Sequence, residues 1–382
     1  MAATPPMGWN SWNAFKLDIN ENRIRSVADS ISSNGMEAAG YQYVVVDAGW
    51  KYSSRTSDGR LIPDPNKFPS GMKSLADYIH SKGLLFGLYT DAGAQDCDSA
   101  GPGSKGHEQL DAQAFAAWGA DFMKEDWCSS EGLDAQTAYR TMSEAILRTR
   151  RPILFSVCEW GDHQPWHWAP SIANMWRTTG DNEACWACGQ DTYQKAGGYP
   201  RGWTLILDAQ NQLARYAGPG RWNDPDMLQI GNHAMSLAES KAQFSLWAVL
   251  AAPLFAGNDV RSMSNEIRNI LLNKEVIAVD QDPAGVQGTL VMHGDGWNVW
   301  ARPLADGSEA IVLFNRSTNP QPVPFDARSI GWTIATQFKA RDLWELADIP
   351  VSTGGFSTVV APHSVFMIRA TKTLDSEPAT AR

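Results

Sequence analysis

The sequence predicts an α/β chain built as a (β/α)8 TIM barrel followed by a C-terminal antiparallel β-sandwich, and three observations predict it. Eight short apolar runs, most of them ending in polar or acidic residues, alternate with amphipathic stretches of helical length over residues 1–282. Beyond Asp282 the pattern changes to short alternating segments separated by Gly, Pro, Asp and Ser. The chain has 382 residues, enough for two domains at roughly 100–200 residues each. The expected organisation is a catalytic barrel over 1–282, a sandwich over 283–370 and a polar tail over 371–382.

Taken in order, the predicted barrel strands are 7–12, 43–47, 84–91, 122–126, 153–159, 175–181, 221–226 and 249–255. Helical spacing of apolar residues falls between them at 24–34, 72–81, 112–118, 135–148 and 241–248. Nearly continuous apolar strands imply a parallel sheet covered by helices. The sandwich strands read as 297–302, 310–315 and 364–369, where apolar and polar residues alternate. In a barrel the active site sits at the C-terminal ends of the strands, and this is where the acidic residues cluster.

Composition narrows the partners. The formal net charge is −10, with 32 basic and 42 acidic residues, which disfavours nucleic acid and anionic membranes. No apolar run reaches the roughly 18–20 residues of a membrane span. Seventeen Trp suggest flat faces for sugar rings, against the alternative that indoles simply fill a large core. The five Cys are Cys97, Cys128, Cys158, Cys185 and Cys188, so at least one is unpaired. Cys185 and Cys188 form an isolated C-x-x-C, better read as a local disulfide or two bystander thiols than as a zinc or redox site. His163 and His167 are four apart, but Pro165 between them opposes a helix that would present both to a metal. No metal and no cofactor are expected. Asn315-Arg316-Ser317 is a weak glycosylation sequon.

Two carboxylates stand out. Asp126 follows Lys124 at the end of one run, and Asp181 follows Arg177 at the end of another, two strands further round the barrel. A carboxylate pair facing one Trp-rich pocket can split a glycosidic bond: one protonates the leaving oxygen, and the other attacks the anomeric carbon or activates water. Lys124 is expected to help keep Asp126 ionised. The bland alternative is that each carboxylate caps a helix or holds a structural cation.

Several long motifs carry a family resemblance over residues 4–370: Thr4-Pro5-Pro6-Met7-Gly8-Trp9-Asn10-Ser11-Trp12, Lys67-Phe68-Pro69-Ser70-Gly71-Met72, Gly218-Pro219-Gly220-Arg221-Trp222-Asn223-Asp224-Pro225-Asp226 and Asp280-Gln281-Asp282-Pro283. The chain resembles glycoside hydrolase family 27, which holds α-galactosidases, α-N-acetylgalactosaminidases, β-L-arabinopyranosidases and isomalto-dextranases. The resemblance implies a retaining exo-glycoside hydrolase, without cofactor, that releases terminal α-D-galactose by double displacement. It makes Asp126 the nucleophile and Asp181 the acid/base, whose carboxyls retention requires roughly 5–5.5 Å apart. It lines the sugar pocket with Trp12, Asp47, Tyr89, Lys124, Glu159, Arg177 and Asp226, pairs Cys97 with Cys128, and so favours a secreted or periplasmic protein whose signal has been removed, a cytoplasmic one being the alternative. The partner implied is an oligosaccharide or glycoside; the oligomeric state is not legible.

The chain departs from that pattern at Asp47-Ala48-Gly49-Trp50, where relatives carry Asp-Asp-Cys-Trp. Gly49 replaces a cysteine whose partner would fall near Lys16. Ala48 replaces a carboxylate that grips the outer hydroxyls of galactose, a contact worth about 1.5–3 kcal/mol. Three sugar readings stay open: galactose with another group substituting, a sugar lacking C6 as for the β-L-arabinopyranosidases, or a glucosyl unit as for the isomalto-dextranases. Glu125, beside the nucleophile, either adds a second acid to the pocket or points away from it, since strand neighbours alternate. A catalytically silent sugar-binding protein is the reading from another class.

Overall fold

The computed structural model describes residues 1–189 and 201–373. Among these, eight parallel strands form one sheet: β1 (Met7–Asn10), β2 (Tyr43–Val46), β3 (Leu85–Asp91), β4 (Phe122–Asp126), β5 (Leu154–Val157), β6 (Met175–Arg177), β7 (Trp222–Asp224) and β8 (Leu254–Ala256). Each bonds its sequence neighbour, and β8 returns to β1 with Met7 opposite Leu254. Between β7 and β8 the ring closes further up: Leu228, past the end of β7, forms a parallel bridge to Ala256.

The strand residues divide as alternation requires. Val45, Phe122, Leu154, Met175, Trp222 and Phe255 point inward and pack with one another, whereas Val44, Met123, Phe155 and Trp176 join the core beneath the helices. Rings of Tyr43, Phe122 and Phe255, with centroids 5.4–6.2 Å apart, plug the lower barrel. Gly8 is required there: a Cβ would lie 2.8 Å from the Phe255 ring and 2.6 Å from the Tyr43 carbonyl.

The helices Glu21–Ser33, Gly71–Ser81, Glu108–Trp118, Ala135–Thr149 and Leu237–Val249 cover the sheet. The last corrects the expected eighth strand. Its capping box at Ser236 and Glu239 starts a helix that runs through Val249, and the strand begins only at Leu254, after Pro253. This helix is buried along most of its length, so its apolar run carries no amphipathic stripe to distinguish it from a strand. The predicted runs at 153–159, 175–181 and 221–226 likewise shorten, because their polar ends are the loops that carry the site.

Beyond the barrel, Thr289–Gly294, Trp297–Pro303, Glu309–Asn315, Gln337–Asp342, Ala347–Thr353 and Val365–Lys372 form a six-stranded antiparallel sheet, and Gln321–Asp326 pairs with Gly355–Val360. Val299, Ile311, Phe325, Phe338 and Ile368 fill the space between these sheets. The expected tail starts later than 371, since Thr371 and Lys372 still belong to the last strand; residues 374–382 lie outside the described ones. Asn315 is fully buried and its amide donates to Asn319 O (2.8 Å) and Val360 O (2.9 Å), so in the folded chain it offers no glycan acceptor.

The tryptophans serve packing more than the sequence suggested. Trp9, Trp50, Trp176, Trp203, Trp222, Trp247 and Trp300 are all fully buried. Cys97 and Cys128 are disulfide-bonded, as are Cys185 and Cys188, and Cys158 is a buried free thiol. Where the resemblance implies a missing disulfide, a lysine spans the gap: Lys67 Nζ donates to both Leu17 O and Gly49 O at 2.9 Å. Gly49 has φ +98°, and a Cβ there would meet Leu17 Cδ2 at 3.0 Å, so glycine suits both the turn and the close approach.

Candidate active site

The carboxylates gather at the C-terminal rim because each closes a strand or starts the loop after it. Asp47 follows β2, Asp91 and Asp126 end β3 and β4, Asp181 lies in the loop after β6, and Asp224 ends β7 with Asp226 just beyond. Two buried cations organise them. Lys124 Nζ, one pleat below Asp126 on the same face, lies 3.0 Å from Asp47 Oδ2 and 3.8 Å from Asp126 Oδ2. Arg177 Nη2 lies 3.2 Å from both Asp181 Oδ1 and Asp226 Oδ2.

Neutral groups fix these ions in place. Asn10 Nδ2 donates to Asp47 Oδ2 (2.7 Å) while its Oδ1 accepts from Trp12 N (2.9 Å), joining the β1 loop to the site. Lys124 stands 5.3 Å from the centre of the Tyr89 ring, and Tyr89 Oη accepts from Cys97 N at 3.2 Å. Asp226 Oδ2 accepts from Asn182 N (2.7 Å), and Trp247 Nε1 donates to the Asp226 carbonyl (2.9 Å). Asp226 itself holds φ +74°, uncommon for a residue with a side chain and typical of sites where neighbours impose the geometry. Trp12 is partly exposed at the rim, with Lys16 Nζ 4.8 Å from its ring centre.

The charges are unbalanced, and the protons answer to that. Burial raises Asp126 to about 6, Lys124 opposing and the Asp181 charge adding to the rise. Lys124 acts in the expected direction, favouring the ionised carboxylate, but desolvation outweighs it, and Lys124 stands nearer Asp47. For Asp181 burial also acts upward, but Arg177 and then Lys124 outweigh it and hold the carboxyl below its ordinary range. Its side chain retains 60% exposure against 8% for Asp126, so it faces the mouth while Asp126 lies on the floor. Burial lifts Asp224 to about 6 and raises Asp226, in both cases against Arg177.

The remaining candidates keep partners of their own. Glu159 is fully buried; its Oε2 accepts from His163 N (2.6 Å) and pairs with His163 Nδ1 (2.8 Å), and Oε1 has no hydrogen-bond partner. The side chain that reaches Arg177 from this strand end is Cys158, with Sγ 3.6 Å from Nη1. Glu125 points away from the site, between the sheet and the helices, where Asp91, Glu108 and Asp111 act on it against Lys51. Burial pushes its carboxyl well above the ordinary carboxylate value. His167 packs edge-on against Tyr216, apart from His163, and Trp168 stacks on Tyr139 at 5.8 Å. Asn10, Cys158, Asp224 and Asn182 were not singled out as site residues, although Asn10 and Asp224 sit inside conspicuous Trp-Asn motifs.

Comparison with known proteins follows the same lines. Residues 4–282 match the family profile described as Alpha galactosidase A, and residues 294–370 match that of the Alpha galactosidase C-terminal beta sandwich domain. The chain is 45% identical over 367 residues to the alpha-galactosidase of Cyamopsis tetragonoloba, covering 96% of this chain and 86% of the relative. It is 46% identical over 328 residues to alpha-galactosidase A of Cellvibrio japonicus, covering 85% and 79%. Among solved structures it is similar to alpha-galactosidase I from Mortierella vinacea, with a TM-score of 0.94, 31% identity and 97% of each chain covered. The alpha-galactosidase of Saccharomyces cerevisiae with raffinose matches at a TM-score of 0.92, 29% identity and 98% of each chain.

Proposed function

The chain belongs to the alpha galactosidase A family of glycoside hydrolases, and from that membership we propose that it cleaves terminal α-D-galactosides with retention, using Asp126 and Asp181. The observation that carries the roles is the division of labour on one rim. Asp126, on the floor beside Lys124, is placed to attack an anomeric carbon from within the pocket; Asp181, exposed at the mouth beside Arg177, is placed to reach an oxygen that leaves toward solvent. Attack forms a bond between Asp126 and the anomeric carbon while Asp181 gives its proton to the departing oxygen; water then enters as Asp181 takes its proton, and the covalent bond breaks. Asp47, Lys124, Arg177 and Asp226 supply charge-assisted hydrogen bonds for the sugar hydroxyls, with Tyr89 and Trp12 beside them. The Cys97–Cys128 disulfide, which ties the loop after β3 to the end of β4, suits an oxidising compartment.

Glu125 no longer bears on the sugar, which leaves Ala48 as the departure that does. Ala48 is buried, and its N–H donates to Asp47 Oδ1 at 2.9 Å. The test is a panel of nitrophenyl α-D-galactoside, nitrophenyl β-L-arabinopyranoside and isomaltosyl substrates, with the first-formed sugar followed by proton NMR. The α-galactoside is expected to give the highest kcat/KM and α-galactose as the first product. A preference for the arabinopyranoside or the isomaltosyl substrate would move the specificity; binding without turnover would make the chain a lectin.

A pH profile follows from the coupled carboxyls. The reactive form carries one proton on the pair, with Asp126 ionised and Asp181 protonated, and its abundance follows the total proton count whichever oxygen holds the proton at rest. Above about pH 6 that proton is lost, and below the lowered range of Asp181 a second is gained. The expected kcat/KM profile is bell-shaped in acid, with its alkaline limb near pH 6; a plateau extending past pH 8 would contradict it.

A further inference from the structure

The loop after β6 begins with Asp181, and the barrel fixes it near that end: Asn182 N donates to Asp226 Oδ2 (2.7 Å) and Asn182 Nδ2 to Met227 O (2.9 Å). Its outer part, which holds the Cys185–Cys188 disulfide, is fixed from another side. Trp186 O accepts from Thr204 N (3.2 Å) and Thr204 Oγ1 (2.6 Å), and Cys185 O accepts from Trp203 N (3.1 Å), so the loop docks on the start of the helix Trp203–Ala209. The Glu183–Arg201 ion pair beside these bonds spans 3.0 Å, but both side chains are at least half exposed, and such a pair holds a loop weakly.

The sandwich reaches across to this outer part. The turn after the strand Gly355–Val360 presents His363, whose ring stacks on Trp186 with centroids 3.8 Å apart and planes 14° from parallel. Phe314, on the strand Glu309–Asn315, lies 5.6 Å from Trp186 and 5.7 Å from Trp203. Arg316, just past that strand, donates to both carboxylate oxygens of Asp208 near the far end of the short helix, at 2.5 and 2.8 Å. The stacked imidazole is itself held. His363 has φ +51°, uncommon for a residue with a side chain, and its Nδ1 lies 3.0 Å from Glu239 Oε1.

Glu239 opens the helix Leu237–Val249, which also carries Trp247. That indole stands 6.5 Å from Trp203 and donates to the Asp226 carbonyl at 2.9 Å. The contacts thus close a circuit from Asp181 through Asn182, Asp226, Trp247 and Trp203 to Trp186, five residues along the same loop. Arg177 grips the Asp181 carboxyl from inside, yet the side chain is 60% exposed, so its aim toward solvent depends on the loop backbone. Small displacements of a reacting group are costly in rate.

We propose that His363 and Trp186 are positioning residues for proton transfer: through their stack the sandwich domain holds the loop that carries Asp181, and so sets the acid before the departing oxygen. The proposal rests on the glycosidase reading and deepens it by giving the second domain a part in the reaction.

The test measures kcat/KM for aryl α-galactosides of similar size whose phenols span pKa values from about 4 to about 10, the range from dinitrophenol to phenol itself. It compares the wild type with His363→Ala, Trp186→Ala and His363→Phe. The slope of log kcat/KM against leaving-group pKa is independent of the fraction of protein folded, so it separates a misplaced acid from a weakened fold. Both alanine variants are expected to lose about three- to tenfold on the phenyl galactoside and nothing on the dinitrophenyl galactoside, which steepens the slope. His363→Phe keeps a ring on Trp186 and should retain the wild-type slope. Losses equal across the series, no loss in either alanine variant, or a His363→Phe slope matching that of His363→Ala would overturn the proposal. Should Trp186→Ala not fold, His363→Ala decides, since that side chain is 28% exposed on a turn. Hydrogen exchange gives a readout apart from activity: residues 183–188 should exchange faster in His363→Ala than in the wild type, with residues 93–105 unchanged, and equal exchange at 183–188 would overturn the attachment. Should the wild type hydrolyse none of the galactosides, the glycosidase reading fails, and exchange alone decides whether the sandwich holds this loop.

Discussion

Asp126→Ala is expected to lower kcat on nitrophenyl α-galactoside by at least about 10⁴-fold, the scale on which loss of a catalytic nucleophile acts. Stability should change little by comparison. The carboxyl is buried, burial pushes its proton affinity up, and its ion pair with Lys124 is long, at 3.8 Å, while Lys124 keeps the closer Asp47 at 3.0 Å. Removing it therefore leaves no orphaned cation, and the folded protein should show an unchanged far-ultraviolet spectrum. Azide, small enough for the space vacated, should restore turnover. It would attack from the side Asp126 occupied, and so yield β-galactosyl azide, inverted relative to the substrate. A variant with near-normal rate, or rescue giving the α-azide, would remove Asp126 from the nucleophile's role.

Asp181→Ala should behave differently because it acts on the leaving group. Nitrophenolate departs without protonation, whereas a sugar alkoxide does not, so the loss should be about 10²–10⁴-fold on raffinose and markedly smaller in the first step on the nitrophenyl substrate. Azide should accelerate the second step from the solvent side and give α-galactosyl azide, the stereochemical opposite of the Asp126 rescue. The pH profile on the aryl substrate should lose its alkaline limb, since only Asp126 then has to be ionised. Equal losses on both substrates, with the limb retained, would show that Asp181 is not the acid. Its placement makes the contrast testable: with 60% of the side chain exposed and Arg177 at 3.2 Å, truncation changes the mouth of the pocket and leaves the floor intact.

Much of the site was legible before the fold was described because barrel geometry converts a one-dimensional feature into a three-dimensional one. An acidic residue at the end of an apolar run becomes a residue on the catalytic rim, which is how Asp47, Asp126 and Asp226 could be grouped although they are far apart in the chain. Alternation is equally local, so Lys124 and Asp126 had to share a face. Past the end of β5 the pleat no longer dictates direction: there Cys158 reaches Arg177 and Glu159 bonds His163. The eighth strand was misplaced for a related reason: the helix ending at Val249 is buried on nearly every side, so hydrophobicity without periodicity runs straight into the strand.

Residue order by itself determined the barrel, its attached sandwich, the cluster of carboxylates at one end and the pairing of Cys97 with Cys128 through family resemblance. These depend on local periodicity and on motifs that are contiguous in the chain. Tertiary structure alone decided which charges meet. Lys124 lies closer to Asp47 than to Asp126, Lys67 bridges the Leu17 and Gly49 carbonyls, Glu125 is buried behind the sheet, and the loops after β1, β6, β7 and β8 line a second polar cavity. Coulomb energies and desolvation vary with distances of a few ångströms and with depth below the surface, and those quantities exist only once the strands have closed into a ring.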